Sequence, residues 1–381
     1  MSARTYCREN ATIANAREAD DLRKRCNVLE GDLTLEYGIS ESINLDSLEE
    51  VEGSILHEGC SLFGTQVAYE NGWCEVPPAF EIRSTTLKQV GGSIWFSRFP
   101  GLDKVTFPNL DTVNGSISLN GVNNLTYLDL TNLKRIRSFT LHAERLETFK
   151  LDGLESFTEG KGMISSRVHL GDIGMVESVD GLFENPLDPM SQGRWTGEDG
   201  QSFYGRRMSH VRSLTFGWRR INALKLTGEN LTVTLGGPST ESMEIENLEV
   251  RDGVAELRRN PQLRNLTIGA FELGFNNSIT DLELPFDQLS SIAIYGTESL
   301  RSITLPPEAE NWNWNGQNQG LTITNTPNLE LSPDTWHWPK SDISRVLIIA
   351  NISNEFLWVL YHVLNSMTKE TGLTIHIANH S

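Results

Sequence analysis

Leu110-Asp-Thr-Val113-Asn-Gly115-Ser116-Ile117 decides the fold. A leucine and a valine lead into a glycine, a small hydroxylated residue and an isoleucine, and the same phrase recurs along the chain. Leu48-Glu-Glu-Val51-Glu-Gly53-Ser54-Ile55 and Leu87-Lys-Gln-Val90-Gly-Gly92-Ser93-Ile94 come before it. Leu133-Lys-Arg-Ile136-Arg137-Ser138-Phe139 comes after it, and Gly31-Asp32-Leu33 is an earlier partial copy. From Gly31 to Gly53, Gly92, Gly115 and Arg137 the steps are 22, 39, 23 and 22 residues. The long step contains Cys60 and Cys74, so a repeat of about 22 residues carries one insertion.

A second phrase, aliphatic-x-x-aliphatic-x-aliphatic, lies between the first ones at Leu102/Val105/Phe107, Leu125/Leu128/Leu130 and Leu146/Phe149/Leu151. It returns as Val211-Arg-Ser-Leu-Thr-Phe216, Leu263-Arg-Asn-Leu-Thr-Ile268 and Leu300-Arg-Ser-Ile-Thr-Leu305. Leu282, Ile292 and Ile303 fall 10 and 11 residues apart, which makes two short strands per rung of about 21. Alternation within each phrase points the apolar residues inward and Thr, Ser, Arg and Asn outward. One rung cannot bury its own apolar face, so rungs stack on a shared core and the expected fold is an all-β solenoid. Gly and Asn at the corners are expected to supply turns with positive φ.

Open sheet edges need covering. Residues 1–30 are expected to form an N-terminal cap in which the helix-prone Ala11 to Cys26 is tied down by a disulfide. At the other end Ser353-Asn354 starts a predicted capping helix near 354–369, with Phe356, Leu360, Val363, Leu364 and Met367 on one face. Periodicity is lost over 184–209, among Asn185-Pro186, Pro189 and four glycines. The expected organisation is a solenoid half over 31–183, a junction over 184–209, and a second half over 210–381.

Composition narrows the function. The 381 residues are 38% hydrophobic, enough for a continuous core, and carry Lys+Arg 32 against Asp+Glu 50, a net charge of −18. That field repels nucleic-acid phosphates, and the pairs Arg206-Arg207 and Arg219-Arg220 are too short to reverse it. No apolar run approaches the ~20 residues of a membrane span. Neither a signal peptide nor an anchoring tail is legible in this chain. Gly160-Lys161-Gly162 lacks the spacing of a phosphate loop, and the eight histidines are scattered along the chain, so neither cofactor nor metal is expected.

All four cysteines, Cys7, Cys26, Cys60 and Cys74, lie in the first fifth of the chain, at spacings unsuited to zinc. Either they pair locally as Cys7–Cys26 and Cys60–Cys74 or they are free thiols of a cytosolic protein; the short loops favour pairing. Glycosylation sequons stand at Asn10, Asn114, Asn124, Asn230, Asn265, Asn276 and Asn351, with an eighth at Asn379 near the end. Together the two patterns lean towards an oxidising, glycosylating route.

The opening Cys7…Cys26 with Val28-Leu-Glu-Gly31-Asp-Leu33, then Leu48-x-x-Val51-x-Gly53-Ser54-Ile55, resembles the start of a receptor-L-domain-like repeat region. More narrowly, it resembles the fungal GPI-anchored cell-wall-organisation family that includes sporulation-specific wall proteins. Val176-Glu-Ser-Val179-Asp-Gly181-Leu182 fits as well, and the resemblance covers residues 7 to 182 best. It implies a right-handed β-solenoid, secreted, N-glycosylated and without known catalysis, at the cell surface or in the wall. This chain departs from that family in lacking a signal peptide, a Ser/Thr-rich stalk and an anchor signal.

Two rival readings remain open. Solenoids of this kind also serve as polysaccharide lyases or hydrolases, which need converging carboxylates. Asp129, Asp281 and Glu283 are the outward candidates, with Lys150 one rung from Asp129, although surface acids are the default in so acidic a chain. An adhesion or host-interaction protein on the same scaffold is the other. Trp312-Asn-Trp314 and Trp336-His-Trp338 each place two indoles on one side of an extended strand. They either contact carbohydrate or cover the solenoid's flank. The leading expectation is a non-enzymatic, monomeric, extracellular wall glycoprotein whose partners are wall polysaccharide or other wall proteins.

Overall fold

The computed structural model describes residues 4–57, 78–99, 101–158, 168–170, 175–186, 211–226, 230–250, 254–274, 278–307, 309, 312, 320–330, 345–350 and 374–377. The chain is an all-β solenoid of parallel sheets. It divides into two compact units, one reaching Phe183 and the other continuing from Arg212.

Three parallel sheets make up the first unit. The first sheet stacks Tyr6–Cys7, Val28–Leu29, Glu50–Val51, Gln89–Val90, Thr112–Val113, Arg135–Ile136 and Ser156–Phe157. The second stacks Ala11–Ile13, Leu33–Leu35, Ile55–His57, Ile94–Ser97, Ser116–Asn120, Ser138–His142 and Val168–Leu170. The third stacks Ile43–Asn44, Phe80–Arg83, Leu102–Thr106, Tyr127–Asp129 and Thr148–Lys150. Each rung therefore visits the sheets in the order first, second, third.

Register follows the repeat. Ile55, Ile94, Ile117 and Phe139 are successive partners, as are Phe96, Leu119 and Leu141. All of them are buried. The leucines of both phrases close turns: Leu102, Leu110, Leu125 and Leu133 donate their N–H to the carbonyls of Phe99, Phe107, Val122 and Leu130 at 2.9–3.2 Å. Each is also buried, so one residue ends the turn and fills the core.

The corner glycines differ from expectation. Gly31, Gly53, Gly92 and Gly115 do not have positive φ; among the described residues the glycines that do are Gly38, Gly121, Gly153, Gly236 and Gly296, and Asn230 and Asn325 do as well. At the corner the constraint is space. A Cβ on Gly53 would lie 2.6 Å from the Gly31 oxygen, and one on Gly115 2.6 Å from the Gly92 oxygen. The residue after each glycine joins the rungs: Asp32 Oδ1 accepts from Ser54 N at 2.7 Å, Ser54 Oγ from Ser93 N at 3.0 Å, and Ser93 Oγ from Ser116 N at 3.0 Å. The Gly-(Ser/Asp) step is thus a rung-to-rung clasp. Corner asparagines likewise bridge rungs, Asn109 and Asn132 donating to the carbonyls of Thr85 and Pro108.

The expected N-terminal helix is shorter than Ala11 to Cys26. Ala11–Ile13 is a strand because Thr12 and Ile13 continue the second sheet in register with Thr34 and Leu35. The helix is Ala16–Arg25. Asn15 caps it by accepting from Glu18 N at 3.0 Å, while Glu18 accepts from Ala14 N at 2.7 Å. Arg23, Lys24 and Arg25 oppose the dipole in its last turn. It buries Ala19 and Leu22, lies against Ala11–Ile13 and Ile43–Asn44, and takes the place a third-sheet strand takes in later rungs.

In the second unit a seven-stranded parallel sheet runs through Arg220–Leu226, Ser242–Val250, Asn265–Leu273, Gln288–Tyr295, Gly320–Thr326, Arg345–Ala350 and Thr374–Ile377. Shorter sheets hold Ser213–Phe216, Leu231–Leu235 and Val254–Arg259, and Asp281–Glu283 with Ser302–Thr304. Leu282 pairs with Ile303, and Ile292 lies in the long sheet between them, as the 10- and 11-residue spacing requires. The predicted helix near 354–369 and the junction residues 187–209 lie outside the described residues.

Candidate functional site

Cys7 and Cys26 form a disulfide with Cα atoms 5.6 Å apart. It fastens the C-terminal end of the helix to the outermost strand of the first sheet. Cys60 and Cys74 lie outside the described residues. Asn10, Asn114, Asn230 and Asn265 are exposed, while Asn124 is half-buried and accepts from Arg145 Nη1 at 3.1 Å. Asn276, Asn351 and Asn379 are outside the described residues.

The aromatic platform does not form at Trp312. Its indole is 1% exposed, so of the two alternatives, carbohydrate contact or a covered flank, this ring takes the second. Hydrophobic burial has claimed the ring. Trp314, Trp336 and Trp338 fall outside the described residues.

The carboxylates are occupied. Asp129 and Lys150 are register partners with an ion-pair distance of 3.8 Å. Asp129 is 7% exposed, takes hydrogen bonds from Thr131 Oγ1 (2.6 Å), Thr131 N (3.1 Å) and Tyr127 Oη (3.1 Å), and so anchors a turn. Lys150 Nζ sits 5.2 Å from the centre of the Tyr127 ring. Asp281 accepts from Ser302 Oγ at 2.5 Å and Thr280 Oγ1 at 3.0 Å, and these bonds hold its pKa below the usual carboxylate value. Glu283 points outward two residues further along the same strand. Among the described residues no three acidic, histidine or cysteine side chains gather as a metal site.

Sequence reasoning missed the outward face of the second sheet. Its central row runs Thr12, Thr34, Leu56, Trp95, Ser118, Thr140 in register. Beside it stand the partners Ser116–Ser138 and the row Ser97, Asn120, His142. None of these is Asp, Glu, Lys or Arg, although Asp32 and Glu36 stand on the same face two residues either side of Thr34. The other two sheets differ: the third presents Glu81, Arg83, Lys104, Asp129 and Lys150, and the first presents Glu50 and Arg135. Trp95 is 56% exposed, and the only other large apolar side chains so exposed among the described residues are Tyr6 and Met175.

Hydrogen bonding separates the faces further. On the first and third sheets the polar side chains bind one another, as in Thr106 to Glu81 at 3.0 Å and Arg135 to both Thr112 and Asp111 at 3.0 Å. On the second, the hydroxyls of Thr12, Thr34, Ser118 and Thr140 have no protein partner among the described residues, and Ser116 and Ser138 pair only with each other. Behind Trp95, in the core, His57 holds a position given to Leu35 and Phe96 on the adjoining rungs. Burial lowers its pKa from 6.5 to about 4, against a raising contribution from its 3.0 Å bond to the Leu35 carbonyl.

No family model, curated protein or solved structure matches the chain.

Proposed function

We propose that this protein is a non-catalytic extracellular glycoprotein that contributes to the organisation and integrity of a fungal cell wall. The observation that carries the reading is the Cys7–Cys26 bond, since protein disulfides persist in oxidising, extracellular compartments and are rare in the cytosol. Four exposed sequon asparagines support the same route. Its resemblance to wall-organisation proteins supplies the wall as the place of action, with membrane anchorage as the family's habit. Wall polysaccharide and neighbouring wall proteins are the partners, and the chain acts as a monomer. Against catalysis stands the state of Asp129, whose oxygens hold a turn and a lysine rather than facing open solvent.

The experiment is intact mass of protein purified from its native source, before and after reduction and enzymatic deglycosylation, with wall fractionation of the same cells. Disulfide-bonded, glycosylated protein in the wall fraction supports the reading. A reduced, unglycosylated chain in the cytosolic fraction overturns it.

A further inference from the structure

We propose that the outward face of the second sheet in the first unit binds a neutral, extended polysaccharide, with the Trp95 indole stacking on one sugar ring. The inference rests on the wall reading for the supply of such a chain; the recognition itself is argued from the surface.

A sugar ring presents C–H groups on its faces and hydroxyls round its edge. It is therefore matched by an aromatic plane set among uncharged donors and acceptors. This face has that composition: one exposed indole, Leu56 on the preceding rung, and hydroxyls of Thr12, Thr34, Ser118 and Thr140 that bind nothing else among the described residues. Parallel strands repeat at ~4.8 Å, so the row offers regularly spaced hydroxyls along the stacking direction. Asn120 and Ser97 add further hydrogen-bonding groups beside the indole, one residue beyond the inward Phe96–Leu119 pair.

Charge selects the class. In a chain of net charge −18, the part of this face around Trp95, formed by Leu56, Ser97, Ser118, Asn120 and Thr140, has no carboxylate, ammonium or guanidinium, and the charges that flank Thr34 further along its rows, Asp32 and Glu36, are acidic. An anionic glycan or a phosphate finds no cation on it, and an anionic membrane needs both basic residues and a broad apolar stripe. A second copy of this chain would need about 800 Å² per partner around an apolar centre, and the two apolar side chains Trp95 and Leu56 do not supply that. A neutral glycan demands neither. Two sequons of this unit stand at borders of the rows, Asn114 before a second-sheet strand and Asn124 after one, while Asn10 occupies the outermost position of the row that holds Ser116 and Ser138.

The test is affinity electrophoresis of the full chain in native gels containing laminarin, hydroxyethylcellulose or polygalacturonate. At least one of the first two is expected to retard the protein, and polygalacturonate is not. Trp95→Ala should weaken that retardation about tenfold, while Trp95→Tyr keeps most of it. Ser118→Glu, which places a charge beside the indole without removing it, should weaken it as well and serves if Trp95→Ala does not fold by circular dichroism. The proposal is overturned if neither laminarin nor hydroxyethylcellulose retards the protein, if polygalacturonate does so equally, or if the variants migrate as the parent does. It is also overturned if Trp95→Ala instead abolishes a concentration-dependent dimer seen by sedimentation. Because purified protein is used, each failure leaves the mass and fractionation result for the wall reading untouched.

Discussion

The Cβ that Gly115 lacks would lie 2.6 Å from the carbonyl oxygen of Gly92, one rung before it. The two backbones are that close because Gly115 N donates to the same oxygen at 2.8 Å. Gly115→Ala should therefore push two rungs apart and destabilise the first unit by roughly 1–3 kcal/mol. Gly121 has φ +70 and nothing nearer its missing Cβ than 3.6 Å, so Gly121→Asn should be close to neutral. Urea unfolding of both variants checks the contrast; equal effects would show that backbone conformation, not spacing, constrains Gly115.

Loss of the Cys7–Cys26 bond should release the helix end from the sheet edge. For a separation of 19 residues the loop-entropy argument gives about 3 kcal/mol. The Cys7→Ala/Cys26→Ala variant should unfold at lower denaturant, with hydrogen exchange accelerating first in Ala16–Arg25 and not in the second unit.

His57 makes stability pH-dependent. Its ring stacks on Phe99 at a centroid distance of 3.4 Å, and burial lowers its pKa to about 4 from 6.5. Between these values the unfolded chain binds the proton that the folded one refuses. The contribution is thus present in full above pH 6.5 and is lost as pH falls towards 4. The span corresponds to roughly 3 kcal/mol. His57→Leu should flatten the stability profile across that window, measured by thermal melts at steps of half a pH unit; an unchanged slope would remove His57 as the cause.

Asp129→Ala should cost about 2 kcal/mol, because the Thr131 N–H and the hydroxyls of Thr131 and Tyr127 lose their acceptor. Lys150→Ala, at an exposed position, should leave the melting temperature unchanged. Equal losses in the two variants would mean that the ion pair, rather than the turn, is what Asp129 maintains.

Much of the fold is legible in the chain because its two phrases bear on backbone register. Ile55, Ile94 and Ile117 align by eye in the sequence and are partners in the sheet. The rest depends on which side chains meet across rungs, and single phrases do not show that. His57 is an ordinary residue after Ile55-Leu56 until the Phe96 and Leu119 column places it in the core. Trp95 alternates correctly with Ile94 and Phe96, yet its uncharged neighbours come from strands 23 to 83 residues away in sequence. Conversely, the Trp312 pattern at i and i+2 describes an exposed platform and a covered flank equally well, and burial chose the second for that residue. The corner glycines show the same limit: the sequence marks where they stand, whereas only the stacked carbonyls reveal why.

The clasp from Asp32 to Ser54, Ser93 and Ser116 has a direction, since each side chain receives the amide of the rung that follows it. A completed rung therefore presents the acceptor for residues translated roughly twenty to forty positions later. Assembly along this corner needs no partner from the distant end of the chain, and the first unit can add rungs in the order in which the ribosome delivers them.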